Sequence, residues 1–455
     1  FYQIFPDRFH NGDLSNDPLN VQHWGAEPTV TGFQGGDLRG ILQKLDYVQD
    51  LGVNVIYLTP IFQATSNHRY NTTDYYRIDP KLGTLADFHA LLDEMHRRGM
   101  RLILDGVFNH CGRGFFAFAD ILENQEHSPY LKWFYVRHFP VDAYSLGDAT
   151  DYLGWWGMKS LPKLNTNTPA VRQYILDVAR YWIEQGIDGW RLDVPNEIDD
   201  DSFWSEFRYT VKSVNPEAYL VGEIWTPDRR WVGDGHFDGL MNYPVRDALL
   251  RLLFAGTLDL AQFIEKIESL FAIYPSENMY AMYVPLGSHD TERLLTKLEN
   301  DVDKARLAFL FQFAFPGAPA IYYGDEIGLT GGKDPACRGA FPWNSSRWNM
   351  PLLDWVKKLV SLRKQHTALR RGSIRRLCKE IRYETCAFAR LHEEGNIVVG
   401  MNASPQTQKF VVDILEVGWQ DGYVPENLLG NGQISPVMNG QIEITLPPWS
   451  GTYLK

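Results

Sequence analysis

Short runs of apolar and β-branched residues recur along the chain at 2–5, 53–58, 101–107, 189–192, 219–222, 239–242, 280–286 and 320–323. Each reads as a buried strand. Stretches of helical periodicity lie between them, at 38–51, 84–98, 169–185, 202–214, 258–271 and 292–313. The second of these is well punctuated: Thr84 and Asp87 have the spacing of a capping box, and Gly99 is placed to end the helix. Eight strands in a β-then-α rhythm predict a parallel sheet, and eight such units predict a closed (β/α)8 TIM barrel, with a doubly wound sheet as the alternative.

The rhythm breaks once. Between strands three and four a long segment with little helical pattern predicts an inserted subdomain at 111–165, on the face where barrel loops carry function. Towards the C-terminus the texture changes to alternation, with Ile442, Ile444 and Leu446 separated by polar neighbours and further strands expected at 396–401 and 409–414. The expected organisation is therefore a barrel at 1–110 and 166–379, the insertion at 111–165, and an antiparallel β-sandwich at 380–455.

Composition narrows the function classes. The 44 Lys+Arg against 56 Asp+Glu give a net charge of −12, which argues against a nucleic-acid partner. The most apolar stretch, 307–323, is interrupted by Gln312, Pro316, Gly317 and Pro319 and makes a poor membrane span. Cys111, Cys337, Cys378 and Cys386 form no CxxC pair, which favours a reducing, cytoplasmic compartment over a disulfide scaffold or a zinc ribbon. The chain opens at Phe1 rather than Met, so a trimmed N-terminus is expected, with loss of a signal peptide or of a leading domain left open.

Three acids stand at the C-terminal ends of predicted strands: Asp193, Glu223 and Asp290. Residues so placed in a barrel converge on one pocket, and convergent carboxylates divide naturally into an ionised and a protonated member, as glycoside hydrolysis requires. Arg191 lies two residues before Asp193, so on an extended strand both side chains share a face. His110 and His289 also follow strand ends and are candidates for hydrogen bonds to substrate hydroxyls.

Four ordered segments carry a resemblance. Asp105-Gly106-Val107-Phe108-Asn109-His110, Gly189-Trp190-Arg191-Leu192-Asp193, Gly222-Glu223-Ile224-Trp225 and Ser288-His289-Asp290 resemble the motifs of the α-amylase family of glycoside hydrolases. The resemblance implies a retaining mechanism with Asp193 as nucleophile, Glu223 as general acid and then base, and Asp290 binding and distorting the sugar. Ser160-Leu161-Pro162-Lys163-Leu164-Asn165 and Val194-Pro195-Asn196-Glu197 are similar to signatures of the neopullulanase and cyclomaltodextrinase group, and place Asn196 and Glu197 among substrate-binding residues. Leu161 stands where Met is usual and Pro195 where Ala is usual, which puts linkage and acceptor preference in question. The group's leading β domain is missing before Phe1, so a more open site, and a monomer or a dimer built without that domain, are expected.

The same resemblance assigns Tyr70 to stacking on the cleavage-site glucose, and Asp334 and Arg338 to holding the next one. Trp155 and Trp156 in the insertion are either platforms for further sugars or subdomain packing. Asn11, Asp13, Asn16, Asp17, Gly35 and Asp37 form an oxygen-only set suited to Ca2+, or simply a polar turn; the resemblance favours a structural calcium. The expected function is hydrolysis of α-1,4, and also α-1,6, bonds in maltooligosaccharides, cyclodextrins, pullulan or branched dextrins, with transfer to sugar acceptors as the rival within one chemistry. A catalytically silent carbohydrate-binding or partner subunit is the alternative from another class.

Overall fold

Eight parallel strands alternate with helices in the computed structural model, which describes residues 1–254, 257–377 and 384–455. They are β1 (Tyr2–Ile4), β2 (Val55–Leu58), β3 (Arg101–Gly106), β4 (Gly189–Leu192), β5 (Tyr219–Gly222), β6 (Gly239–Leu240), β7 (Tyr283–Pro285) and β8 (Ala318–Tyr322). This is the (β/α)8 barrel class, with antiparallel sheets at the C-terminus.

The chain divides into two compact units, one comprising 1–224, 230–241 and 334–343, the other 225–229, 242–333 and 344–455. In the first, six strands pair in parallel in the order β6-β5-β4-β3-β2-β1. Near-continuous burial along β3, β4 and β5 is what strands covered on both faces require. The 111–165 segment belongs to this unit. It holds one α-helix, Phe116–Asn124, and otherwise short 3-10 turns and isolated bridges, packed through Phe118 against Phe134 and Tyr152 at ring separations of 4.9 Å.

In the second unit β7 and β8 pair in parallel, and two antiparallel sheets follow. One orders Ser373–Arg376, Thr385–Leu391, Ile397–Asn402 and Ser450–Leu454; the other orders Gln408–Asp413, Gln441–Leu446 and Gln433–Ile434. Ala387, Ala389 and Val398 from the first sheet share a core with Phe410, Val412, Ile442 and Ile444 from the second. The alternation that predicts these strands therefore places their apolar positions together. The antiparallel part begins at Ser373, ahead of the expected boundary; positions 379 and 380 themselves, and Cys378, lie outside the described residues.

Several boundaries differ from expectation for local reasons. The helix expected at 38–51 is interrupted at Lys44, whose ψ opens to 8°. That expected at 292–313 splits into Leu294–Lys297 and Val302–Ala314, because Glu299 and Asn300 adopt φ of 55° and 65° and Asp301 caps the second piece. The strand expected at 280–286 shortens to β7, since Ser276–Ala281 is helical. That at 239–242 shortens to β6, because Asn242 caps a helix, Tyr243–Leu253, not expected from the sequence. Met350–Gln365, capped by Asn349, is a second unexpected helix, and Phe62–Ala64 with Thr72–Ile78 an unexpected hairpin. No helix among the described residues is long and apolar enough to cross a membrane.

Gly189 opens β4 at φ 154°, and a Cβ there would lie 2.0 Å from the Tyr219 carbonyl oxygen on β5. Gly189→Ala is expected to cost about 3 kcal/mol by forcing the two strands apart, seen as a lower midpoint of thermal unfolding. An unchanged midpoint would show that the strand pair tolerates the methyl group.

Candidate active site

Strand alternation and register build the centre of the first unit. Parallel pairing sets Asp105 on β3 beside Arg191 on β4, and Leu192 beside Gly222 on β5, so that Asp193 and Glu223 leave adjacent strand ends at the same level. Arg191 Nη1 donates to Asp105 Oδ1 and Oδ2 at 2.8 and 3.0 Å and to Asp193 Oδ1 at 2.9 Å, while Nη2 pairs with Glu223 Oε2 at 2.8 Å. One guanidinium thus bridges both carboxylates. The hydroxyls of Tyr57 and Tyr70 both donate to Asp105 Oδ2, at 2.5 and 2.8 Å, and both rings stand 6.0 Å from the guanidinium carbon.

Arg191 is only 1% exposed, Asp193 7% and Glu223 4%. Burial works against the Arg191 charge, but Asp105, Glu223, Tyr57 and Tyr70 outweigh it and push its pKa well above the ordinary value. The cation is therefore permanent and serves as the fixed point of the site. Val194, next after Asp193, sits at φ 36° and ψ 52°, a left-handed conformation rare for a β-branched residue, and its N–H donates to Glu223 Oε2 at 3.1 Å. Such strain persists only where surrounding structure enforces it. Here Pro195 follows directly, opening the 3-10 turn Pro195–Glu197.

His110 is fully buried, with Nδ1 3.2 Å from Asn109 Nδ2. Lys163 donates to Asn109 Oδ1 at 2.7 Å, which turns the amide nitrogen toward the ring. Nδ1 is then the acceptor and Nε2 carries the proton, with the Tyr70 backbone a hydrogen-bond partner of the ring. Burial, then Lys163, pushes the His110 pKa down to about 3, so the ring is neutral and offers a hydrogen bond rather than a charge. His68, stacked on Tyr70 with ring centroids 5.9 Å apart, is likewise pushed down to about 3, by burial and then by Arg338.

The remaining sequence-predicted residues fall as follows. Asn196 is exposed, and the Glu197 carboxylate stands 3.8 Å from Lys163. Asp334 and Arg338 pair at 3.1 Å, with the guanidinium 5.4 Å from the centre of the Phe5 ring. Asp290 and His289 belong to the second unit, just after β7. There His289 Nε2 lies 3.1 Å from Asp290 Oδ2, and the Asp290 N–H donates to Ser288 Oγ. In the same unit Trp225 stacks on Tyr243 at 3.7 Å and 5°. Sequence reasoning gave no role to Asp105, Tyr57, Lys163 or the Val194 amide. A buried Asp inside an apolar strand was a readable signal for the first; the others depend on pairing register and backbone conformation.

The proposed calcium ligands form a connected turn. Asn11 Nδ2 donates to both Asp17 oxygens, at 2.9 and 3.0 Å, and Asn16 Nδ2 to Asp37 Oδ2 at 3.2 Å. Asp37 also accepts from the N–H groups of Gly12, Asp13 and Gly40, and Asp13 caps Ser15 and pairs with Arg39. Gly35, at φ 81°, makes room: a Cβ there would sit 2.2 Å from Asp17 Oδ1. Asn11 Oδ1 and Asn16 Oδ1 are buried without a partner within the described residues. No cluster of three or more His, Cys, Asp or Glu is arranged for a metal among those residues, so a cation here would rest on amide oxygens and Asp17.

Parallel strands delivering a guanidinium-bridged carboxylate pair define a (β/α)8 protein whose chemistry is built on acids at strand ends. Residues 3–349 match the model for the alpha amylase catalytic domain. The chain belongs to the alpha-amylase family. It is 42% identical to neopullulanase 2 of Thermoactinomyces vulgaris over all of this chain and 77% of that protein, and 44% identical to a cyclomaltodextrinase of Geobacillus thermopakistaniensis over 91% of this chain and 70% of that one. The solved cyclic alpha-maltosyl-(1→6)-maltose hydrolase of Arthrobacter globiformis superposes with a TM-score of 0.90 at 42% identity, covering all of this chain and 97% of that one.

Neutral burial of His68 and His110 makes stability depend on pH. Their folded pKa values lie below the unfolded value near 6.5, so between about pH 6.5 and 3 the unfolded chain binds more protons, and stability falls as pH falls. Each is expected to contribute up to ~1.4 kcal/mol per pH unit in that window. His68→Gln should therefore flatten the loss of thermal midpoint between pH 6.5 and 5, whereas an unaltered slope would show that His68 charges without penalty.

Proposed function

We propose that this chain is a retaining α-glucan hydrolase that cleaves α-1,4 bonds, and α-1,6 bonds where the substrate presents them, in short, cyclic or branched maltooligosaccharides. The single observation carrying this reading is the Arg191 guanidinium shared by Asp193 and Glu223. Retaining glycosidases need two carboxyl groups close enough to flank one anomeric carbon, and a shared cation keeps the pair together and aimed. In the proposed reaction Asp193 attacks the anomeric carbon while Glu223 gives a proton to the departing glycosidic oxygen. Glu223 then takes a proton from water as that water opens the glycosyl ester on Asp193. Asp290 holds the sugar in its distorted shape, Tyr70 stacks on it, and His110 Nε2 donates to a hydroxyl.

The linkage preference is supported by the cyclic maltosyl-maltose hydrolase, whose named substrate contains a 1→6 bond, and by its coverage of nearly the same chain length. A sugar hydroxyl competing with water for the ester would give transfer products. A silent binding subunit has no need of an acid pair locked on a buried cation. A cytoplasmic setting is supported by the relative named intracellular maltogenic amylase in Bacillus subtilis, 41% identical over 88% of this chain.

Glu223→Gln is expected to lower turnover of maltoheptaose roughly 10²- to 10⁴-fold in a protein that still folds, with a lower thermal midpoint because Arg191 loses one of its three carboxylates. Unreduced turnover would remove Glu223 from the acid role. Chromatographic product profiles on cyclodextrin, pullulan, branched dextrin and linear oligomers, with and without glucose as acceptor, rank the substrates and separate hydrolysis from transfer.

We further propose that Ca2+ binds at the Asn11–Asp17 turn through Asn11 Oδ1, Asn16 Oδ1 and Asp17, in a structural role. Added Ca2+ should then raise the melting midpoint of chelator-treated protein, and Asp17→Asn should abolish the increase. An equal increase in that variant would place the ion elsewhere.

A further inference from the structure

The inserted segment presents one side chain that packing does not explain. Trp156 is 78% exposed, and its backbone is left-handed at φ 51° and ψ 30°, a conformation that a bulky residue adopts at a cost. The loop around it is pinned rather than slack. Trp155 N–H donates to Leu161 O at 2.8 Å, Gly157 N–H to Gly154 O at 3.0 Å and Met158 N–H to Trp155 O at 3.0 Å, and a Cβ on Gly154 would strike Met158 O at 2.4 Å. A residue retained for stability would turn its indole inward; this backbone holds it out.

What lies behind the indole is ordered. Trp156 stacks on Trp155 with ring centroids 4.6 Å apart and planes at 17°, and Trp155 stacks on His110 at 4.9 Å and 15°. His110 follows β3 and, in the proposed reaction, binds the sugar being cleaved. The stack therefore runs from the cleavage-site histidine to an open aromatic face two ring spacings outward. Flat faces against sugar C–H groups, with hydroxyls left in water, are what a glucosyl ring requires.

We propose that the Trp156 indole is a binding subsite for a glucosyl unit remote from the scissile bond, so that the insertion selects for oligosaccharides long enough to span from His110 to Trp156. This rests on the α-glucan reading of the site and deepens it to chain-length selection. Trp155 acts as the positioning residue, fixing the plane of Trp156 against His110.

The test is calorimetric titration of the Glu223→Gln protein with maltotriose and with maltoheptaose, with and without Trp156→Ala, and with Trp156→Phe as the conservative variant. Loss of one stacked ring is expected to weaken maltoheptaose binding roughly 3- to 10-fold, to reduce the maltoheptaose-to-maltotriose preference by a similar factor, and to be largely restored by Phe. An unchanged preference in Trp156→Ala overturns the inference whatever the turnover. In the parent enzyme the same change should appear in KM for maltoheptaose rather than in kcat. A parent that binds maltoheptaose through Trp156 yet does not cleave it would overturn the hydrolase reading alone.

Discussion

A single buried cation governs the centre of this protein. Arg191 is almost wholly removed from water, and an unpaired guanidinium in that position would cost several kcal/mol. Asp105, Asp193 and Glu223 offset that cost, and two tyrosine hydroxyls fix the far side of Asp105. Each acid is therefore needed by the cation as much as the cation is needed by the acids, and none can swing away without leaving charge uncompensated. Three carboxyl groups against one guanidinium also leave the centre acidic overall, which suits a transition state that develops positive charge on the sugar.

That constraint reaches into the backbone. The left-handed Val194, wedged between Asp193 and Pro195, points its N–H at the same Glu223 oxygen that Arg191 holds, so the carboxylate is fixed from two directions. A similar price is paid at Trp156 to expose an aromatic face. Both residues depart from what their side chains prefer, and both stand next to groups of the proposed reaction, as expected where function overrides local propensity.

The barrel was legible because buried parallel strands leave short apolar runs, and the placement of Asp193 and Glu223 was legible because each directly follows one of them. Thr84 with Asp87 marked its helix start correctly: both hydrogen bonds of the capping box are present. The helix at Tyr243–Leu253 was missed although Asn242 and Pro244 signal its start, and Met350–Gln365 although Asn349 and Pro351 do the same. The apolar residues at 239–242 read as strand up to the first of these caps, and no element is assigned to 350–365. The partnership of Asp105 with Arg191 was not legible, since it depends on how β3 and β4 slide past one another. Nor was the Val194 conformation, because a β-branched residue before proline argues for extended backbone.

In the proposed reaction the two carboxylates on Arg191 work by double displacement at one carbon. Proton NMR of the first-formed products from a maltooligosaccharide, followed before mutarotation, distinguishes double from single displacement. Double displacement releases the new reducing end as the α-anomer, which only later equilibrates; initial appearance of the β-anomer would rule it out.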